Sequence, residues 1–156
     1  MLDLLRRRRF GSPVHLALAV ALVAPAAEGR AVPPEVAVVR DVAYGADPKQ
    51  RFDVYTPKGA RNAPVVVMVH GGAWRIGDKR SRGVVGKKVA RWSRDGIVVI
   101  SVNYRMLPGT DPVEQARDVA RALAVAQQRM SEWGGDAGKV VLMGHSAGAH
   151  LVALLD

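Results

Sequence analysis

The chain has 156 residues, of which 49% are hydrophobic and 24% are charged, and it contains no cysteine. This composition is typical of one modest globular domain; it excludes a disordered chain, and the missing cysteines exclude disulfides and thiolate metal sites. The formal net charge is +9, but the first 30 residues hold five arginines against two acidic residues, which leaves +6 for the remainder.

Residues 1–27 have the pattern of an export signal. A cationic run, Arg6–Arg9, is followed by an apolar stretch from Val14 to Ala24 and by small residues that suit cleavage after Ala26. The apolar stretch is about half of the ~20 residues that a membrane-spanning helix needs, so no stable membrane anchor is expected. Arg7-Arg8-Arg9-Phe10 is similar to the twin-arginine export pattern, although an ordinary charged leader has the same composition. Either route predicts a secreted or periplasmic protein.

The domain itself is expected to cover residues 31–156, and it opens with two strands. Residues 36–44 and 51–55 are rich in β-branched and aromatic side chains, and Gly45-Ala46-Asp47-Pro48 between them is a turn-forming sequence. The pattern predicts an antiparallel hairpin at a sheet edge.

Three unbroken apolar runs predict strands that are buried on both faces, namely Val65–Val69, Ile97–Val102 and Val140–Met143. Helices are predicted between them, over residues 82–94 and 112–133. The apolar residues of the second helix recur every three or four positions: Val113, Ala116, Ala120, Leu123, Ala124 and Met130. This alternation predicts an α/β fold with a mostly parallel sheet, in which functional groups collect at the carboxyl ends of the strands.

Basic residues are concentrated in one stretch: Lys79, Arg80, Arg82, Lys87, Lys88, Arg91 and Arg94. Such a cluster could form a phosphate-binding face. No aromatic interleaving or nucleic-acid motif accompanies it, so we expect a solvated helix surface and no nucleic-acid partner.

The segment His70-Gly71-Gly72-Ala73-Trp74 follows the first buried strand. Two consecutive glycines let the backbone approach a bound group and aim amides at it. Amides placed in this way stabilise the negative charge of a tetrahedral intermediate, and each donor is worth ~3 kcal/mol. In isolation, a pair of glycines would indicate only a turn that leaves a strand.

The segment Gly144-His145-Ser146-Ala147-Gly148 stands between the third buried strand and an Ala/Leu-rich helical run. The Gly-x-Ser-x-Gly spacing in this context is typical of a nucleophile elbow. Because the serine occupies a sharp, strained turn, the residues two before and two after it must be small, as Gly144 and Gly148 are. The amide of Ala147, at the start of the helix, would point at the developing negative charge.

Together the two segments resemble the His-Gly-Gly-x-Trp branch of the α/β hydrolases, which includes carboxylesterases, feruloyl-esterase-like proteins and arylformamidases. The resemblance covers about residues 36–156. Four further stretches also resemble parts of this branch: Asp53-Val54-Tyr55, Ile76-Gly77-Asp78-Lys79, Val102-Asn103-Tyr104-Arg105 and Gly134-Gly135-Asp136. The resemblance implies an α/β-hydrolase fold.

The resemblance also implies roles for individual residues. Ser146 would be the nucleophile. The oxyanion donors would be the backbone amides of Ala147 and of the segment Gly71, Gly72 and Ala73, with Gly72 and Ala73 as the main pair. His70 would hold this loop by side-chain hydrogen bonds.

Trp74, Arg105 and three histidines are further candidates. Trp74 would either line the acyl pocket or pack against the loop. Arg105 is expected to pair with Asp118 as part of the scaffold. No metal site is expected at His70, His145 or His150, because no spaced carboxylate or histidine partner completes one, and no cofactor is predicted.

The implied function is hydrolysis of a small-molecule carboxylic ester through an acyl-serine intermediate. An amide such as an N-formyl arylamine is the alternative substrate, and an inactive fragment is the alternative protein. In this fold the triad runs Ser, then Asp or Glu, then His along the chain, and none follows Asp156. The chain is therefore expected to be the N-terminal portion of a hydrolase domain, truncated after the elbow.

Overall fold

A computed structural model of the chain describes residues 35–81 and 85–155, and the predicted export signal at residues 1–27 lies outside these ranges. The strands within the described ranges are β1 (Val36–Ala43), β2 (Arg51–Pro57), β3 (Ala63–Val69), β4 (Val98–Val102) and β5 (Gly135–Gly144). The α-helices in the same ranges are α1 (Gly86–Arg94), α2 (Pro112–Arg129) and α3 (Ala147–Ala153). A 3₁₀ turn, Met130–Trp133, continues α2.

The strands form one mixed sheet in the order β1-β2-β4-β3-β5. β2 pairs antiparallel with both β1 and β4, whereas β3 runs parallel to both β4 and β5. The predicted edge hairpin is confirmed, and its turn is closed by the amide of Tyr44, which donates to the carbonyl of Gln50. The predicted α/β fold with parallel inner strands is confirmed as well.

The inner strands are covered on both faces, as their unbroken apolar sequences predict. Val65 and Val67 of β3 belong to a core cluster on the face that carries α2. Their neighbours Val66 and Met68 point to the opposite face and pack with Val89 of α1. The alternation of side chains along a strand thus gives one apolar run two separate cores.

The buried face of α2 differs from the predicted one. Val113, Ala120 and Ala124 are exposed. The buried residues are Gln115, Ala116, Asp118, Val119, Ala122 and Ala126. The prediction was wrong at the three exposed positions because it counted apolar residues only, whereas two polar residues enter this core.

The two polar residues of α2 are buried because they have hydrogen-bond partners. Asp118 accepts hydrogen bonds from the guanidinium of Arg105 at 2.7 and 2.8 Å and from the side-chain amide of Gln50 at 2.8 Å. The predicted pair of Arg105 and Asp118 is therefore confirmed. Gln115 donates to the carbonyls of Trp74 and Thr110, which ties α2 to the loops at the carboxyl edge of the sheet.

The basic stretch is not one solvated surface. Arg91 and Arg94 lie on α1 and are exposed, as expected. Lys79 is buried and pairs with Asp53 and Asp41, so the interpretation as a solvated helix surface was wrong for this residue.

Within the two described ranges, no helix combines the length and the apolar character that a membrane span requires.

Candidate active site

Ser146 lies in the tight turn between β5, which ends at Gly144, and α3, which begins at Ala147. Its backbone angles, φ 53° and ψ −120°, fall in a region that residues other than glycine rarely adopt. The residue is exposed at the carboxyl edge of the sheet. A strained serine at this position, on a strand-to-helix turn, is the geometry that the sequence pattern predicts.

The two glycines of the motif permit this turn by their lack of a side chain. A Cβ built on Gly144 would lie 2.3 Å from the carbonyl oxygen of Gly148. A Cβ built on Gly148 would lie 2.4 Å from the carbonyl oxygen of Val69 and 2.5 Å from that of His70. These obstacles are backbone atoms, which cannot rotate away. Both glycines are therefore needed for α3 to pack against the ends of β5 and β3.

The glycine loop, which we define as His70–Trp74, comes directly beside the serine. β3 and β5 are parallel neighbours, with Val69 opposite Gly144, so the segments that follow them leave the sheet side by side. A Cβ built on Gly71 would lie 3.0 Å from the Cβ of Ser146 and 2.6 Å from the carbonyl oxygen of His145. The structure therefore brings the two predicted motifs into contact.

The backbone of the glycine loop is turned by three consecutive residues with positive φ. These are Gly72 at 127°, Ala73 at 50° and Trp74 at 60°. The carbonyl of Gly72 accepts hydrogen bonds from the amides of Arg75 and Ile76, which closes the turn. Over residues 35–81 and 85–155, the amides of Gly72 and Ala73 donate to no acceptor, so both remain available to a bound group.

The amide of Ala147 is a third available donor. It belongs to the first turn of α3, where backbone amides have no acceptor within their own helix. None of the other described residues accepts a hydrogen bond from it. The helix dipole adds partial positive charge at this end. Ser146 and the glycine loop are thus neighbours, and three backbone amides of these segments have no acceptor among the described residues.

His70 is buried and fixes the start of the glycine loop. Its Nδ1 donates to the carbonyl of Gly71 at 2.8 Å, which assigns the proton to that nitrogen. Its ring stacks on Tyr104 with centroids 4.5 Å apart, and the Tyr104 hydroxyl donates to the His70 carbonyl at 2.9 Å. Burial lowers the pKa of His70, which keeps the imidazole neutral near pH 7.

Trp74 packs onto α3. Its ring meets the ring of His150 edge to face, with centroids 5.5 Å apart. It also packs against a core cluster that includes Tyr104 and Leu151. The carbonyl of Trp74 accepts from the amide of Leu107 at 2.8 Å. Trp74 thus packs on α3 and on this core cluster, while its two predicted roles, lining the acyl pocket or packing against the loop, stay predictions.

No hydrogen bond reaches the hydroxyl of Ser146 from any other residue in the described ranges. His145 and His150 are both exposed, on either side of the serine in sequence. The same ranges contain no group of three or more His, Cys, Asp or Glu side chains that could hold a metal ion.

Sequence reasoning missed the partners that hold the glycine loop, above all Tyr104. A usable signal was present in the sequence. Tyr104 comes two residues after the second buried strand, which becomes β4, the parallel neighbour of β3. Loops that follow adjacent parallel strands emerge at one edge of the sheet, so contact between them could have been expected.

The sequence is similar to one known family and to several known proteins. The model of the family described as BD-FAE matches residues 52–156. The isoprenylcysteine alpha-carbonyl methylesterase of Arabidopsis thaliana is 38% identical over 117 residues, which cover 74% of this chain and 27% of the relative. Esterase LipC of Mycobacterium tuberculosis is 39% identical over 118 residues, which cover 74% of this chain and 28% of the relative. The chain spans about a quarter of the length of these relatives.

Solved structures show the same likeness. One is Esterase B from Lactobacillus rhamnosis inhibited with a tributyrin phosphonate, which superposes with a TM-score of 0.68 at 32% sequence identity. The match covers 78% of this chain and 40% of the esterase chain. The architecture described above is therefore the one found in solved esterases.

Proposed function

The chain belongs to the BD-FAE family, a family of α/β-hydrolase esterases, and we propose that it supplies the nucleophile and the oxyanion donors of a serine carboxylesterase. The single observation that supports this best is the contact of Gly71 with Ser146. That closeness supports a site in which the Ser146 hydroxyl and the backbone amides of the glycine loop act on the same bound group. Acyl transfer requires both on the same side of one carbonyl group.

In the proposed reaction, the Oγ of Ser146 attacks the carbonyl carbon of the ester. The carbonyl oxygen becomes an oxyanion and accepts hydrogen bonds from the amides of Ala147, Gly72 and Ala73. The intermediate collapses, the alcohol leaves with a proton, and water then hydrolyses the acyl-serine to release the acid and restore the hydroxyl. Each oxyanion donor is worth about 10²–10³-fold in kcat.

Serine needs a general base to act at neutral pH. In this fold the base is a histidine oriented by an acidic residue, and both follow the nucleophile in chain order. His70 precedes Ser146, and its Nδ1 is occupied by the carbonyl of Gly71. We therefore assign His70 to the support of the glycine loop.

The substrate class proposed is a small-molecule carboxylic ester. The similar proteins are named as esterases, and this favours an ester substrate over the alternative, an N-formyl arylamine. The leader pattern at residues 1–27 supports action outside the cytoplasm.

The proposal is tested by the kinetics of the full-length protein on p-nitrophenyl acetate and butyrate, with an N-formyl arylamine as the competing substrate. Ser146→Ala should lower kcat by at least ~10⁴-fold, because removal of the nucleophile leaves only binding and the oxyanion donors. Ser131→Ala, an exposed serine at the opposite end of β5, is the matched control and should retain full activity. Ester turnover that survives in Ser146→Ala would reject the proposal, and turnover of the formamide alone would move the substrate class to amides.

A further inference from the structure

Three of the four further stretches that resemble the esterase branch meet in the structure at one place. Asp53 lies on β2, Lys79 follows the glycine loop, and Asn103 and Tyr104 follow β4. They are far apart in sequence, yet hydrogen bonds connect them around the segment from His70 to Lys79. The proposed reaction assigns none of them a role.

The ammonium, the backbone amide and the backbone carbonyl of Lys79 all have hydrogen-bond partners. Its ammonium binds Asp53 at 2.6 Å and Asp41 at 2.8 Å. Its amide donates to the side-chain oxygen of Asn103 at 2.6 Å, and its carbonyl accepts from the hydroxyl of Ser101 at 2.8 Å. The side chain of Lys79 is 3% exposed and that of Asp53 is not exposed at all. The end of the segment is thus fixed to both β2 and β4.

The start of the segment is fixed to the loop that follows β4. The hydroxyl of Tyr104 donates to the carbonyl of His70, whose ring stacks on the tyrosine. Gly77, near the end of the segment, packs against its first two residues. A Cβ built on Gly77 would lie 2.4 Å from Nδ1 of His70 and 2.5 Å from the carbonyl oxygen of Gly71. The amides of Gly72 and Ala73 therefore lie on a segment that is anchored at both ends.

The energetics of buried ion pairs favour a geometric role for this arrangement. Removing a lysine and a carboxylate from water costs several kcal/mol per ion, and the attraction between them does little more than offset that cost. In proteins generally, an apolar pair of similar volume often stabilises the fold as well or better. What the network adds is position, because the ammonium of Lys79 is bound to carboxylates on both β1 and β2 while its backbone is bound to Ser101 and Asn103.

We propose that a group of four residues positions the glycine loop, namely Lys79, Asp53, Asn103 and Tyr104. These residues fix the distance between the amides of Gly72 and Ala73 and the oxyanion that forms at Ser146. We call this group the loop clamp, and its role rests on the proposed function. Without the clamp, the segment moves away from the serine, and the oxyanion loses donors that act mainly in the transition state. The substrate is still bound in its ground state, so the loss falls on kcat and not on KM.

The test compares variants of the full-length protein on one p-nitrophenyl ester. In Lys79→Met, Asp53 keeps its ion pairs with Arg40 and Arg80, so no buried carboxylate is left unpaired. We expect kcat to fall about 10–100-fold while KM stays within about threefold, since small misplacements near reacting atoms have effects of this size. Lys79→Arg, which keeps the cation, should recover most of kcat.

Two controls separate positioning from general stability. Lys139→Met removes the same side chain from an exposed ion pair with Asp136 at the other end of β5 and should leave kcat unchanged. Val65→Ala makes a cavity in the core at the amino end of β3 and should lower Tm without lowering kcat. If Lys79→Met fails to fold, Tyr104→Phe replaces it, because it removes one hydroxyl and keeps the ring that stacks on His70.

Hydrogen exchange at residues 71–77, followed at the amides of Arg75 and Ile76 that donate to the carbonyl of Gly72, provides a readout that does not need activity. The clamp variants should exchange faster there than wild type and the two controls. A kcat that falls no further than in Val65→Ala, or unchanged exchange at residues 71–77, would overturn the loop clamp. If wild type hydrolyses no ester, the proposed function fails, and the exchange data still decide whether the clamp holds the loop.

Discussion

Gly71 stands against Ser146 so closely that a Cβ on the glycine would lie 3.0 Å from the serine Cβ and 2.6 Å from the carbonyl oxygen of His145. Contacts under 3.0 Å between such atoms require a shift of the backbone. Gly71→Ala should therefore push the glycine loop away from the serine and lower kcat on the order of 10²-fold, the value of about one oxyanion donor. Ester kinetics measure this, with Gly86→Ala as control because a Cβ there meets nothing within 4 Å. Equal activity in both variants would refute the close approach.

Gly148 should be equally intolerant of a methyl group, for a different reason. Its Cβ would meet the carbonyl oxygens of Val69 and His70, which belong to the backbone at the end of β3. Gly148→Ala should displace α3 and cost about 1–3 kcal/mol of unfolding free energy, together with most of the activity. Ala149→Gly, an exposed change on the same helix, costs about 1 kcal/mol through helix propensity alone and should keep its kcat. Denaturant unfolding and ester kinetics on the pair distinguish the two effects.

The buried carboxylate of Asp118 should matter far more than exposed acids on the same helix. It accepts hydrogen bonds from Arg105 and from Gln50, which is itself buried. Asp118→Ala leaves the buried amide of Gln50 without an acceptor and the half-buried guanidinium of Arg105 with water alone, and it should cost about 2–3 kcal/mol of unfolding free energy. Glu114→Ala removes only an exposed partner of Arg117 and should cost less than about 1 kcal/mol. Similar losses in the two variants would contradict the burial of Asp118.

Acid should weaken the fold through Asp53. Burial would raise the pKa of this carboxyl, but the hydrogen bonds from Arg80, Lys79 and the amide of Asp41 outweigh it and lower the pKa to about 2. A lowered folded-state pKa gives stability that is full above the unfolded value of about 4 and is lost as the pH falls toward 2. Urea unfolding between about pH 5 and pH 2 should show a loss on the order of 2 kcal/mol from this group.

Asp53→Asn is the comparison for the acid experiment. Asparagine has nearly the same shape but does not titrate, so the variant is less stable at neutral pH and loses less on acidification. The two stability curves should therefore converge as the pH falls. Curves that stay parallel from about pH 5 to pH 2 would show that Asp53 does not titrate in this range.

The sequence was sufficient for the features that depend on local pattern. Unbroken apolar runs identify β3 and β4 because the runs are short and rich in β-branched residues, as in strands that are covered on both faces. Gly144 and Gly148 could be interpreted in advance because the steric demand of the serine turn fixes their spacing. The third strand was predicted too short: β5 begins at Gly135, although only its end is strongly apolar. Pairing with β3 extends it beyond the apolar run.

Features that depend on distant partners could not be predicted from one sequence. Asp118 appears as a polar position on α2, and only the folded chain brings Arg105 and Gln50 to it. Lys79 belongs to a basic stretch whose other members on α1 remain in solvent, and nothing local marks it as the one that meets Asp53. A charge becomes buried when tertiary structure supplies a counter-charge, and that information lies elsewhere in the chain.

A crystal structure of a phosphonate adduct of the full-length protein tests the assignment of Ser146 and of the oxyanion donors most directly. A phosphonate ester should form a bond from phosphorus to the Oγ of Ser146. Its phosphoryl oxygen should lie about 2.7–3.1 Å from the amide nitrogen of Ala147 and from that of Gly72 or Ala73. Modification of a different residue, or a phosphoryl oxygen directed away from the glycine loop, would contradict the assignment of nucleophile and oxyanion donors.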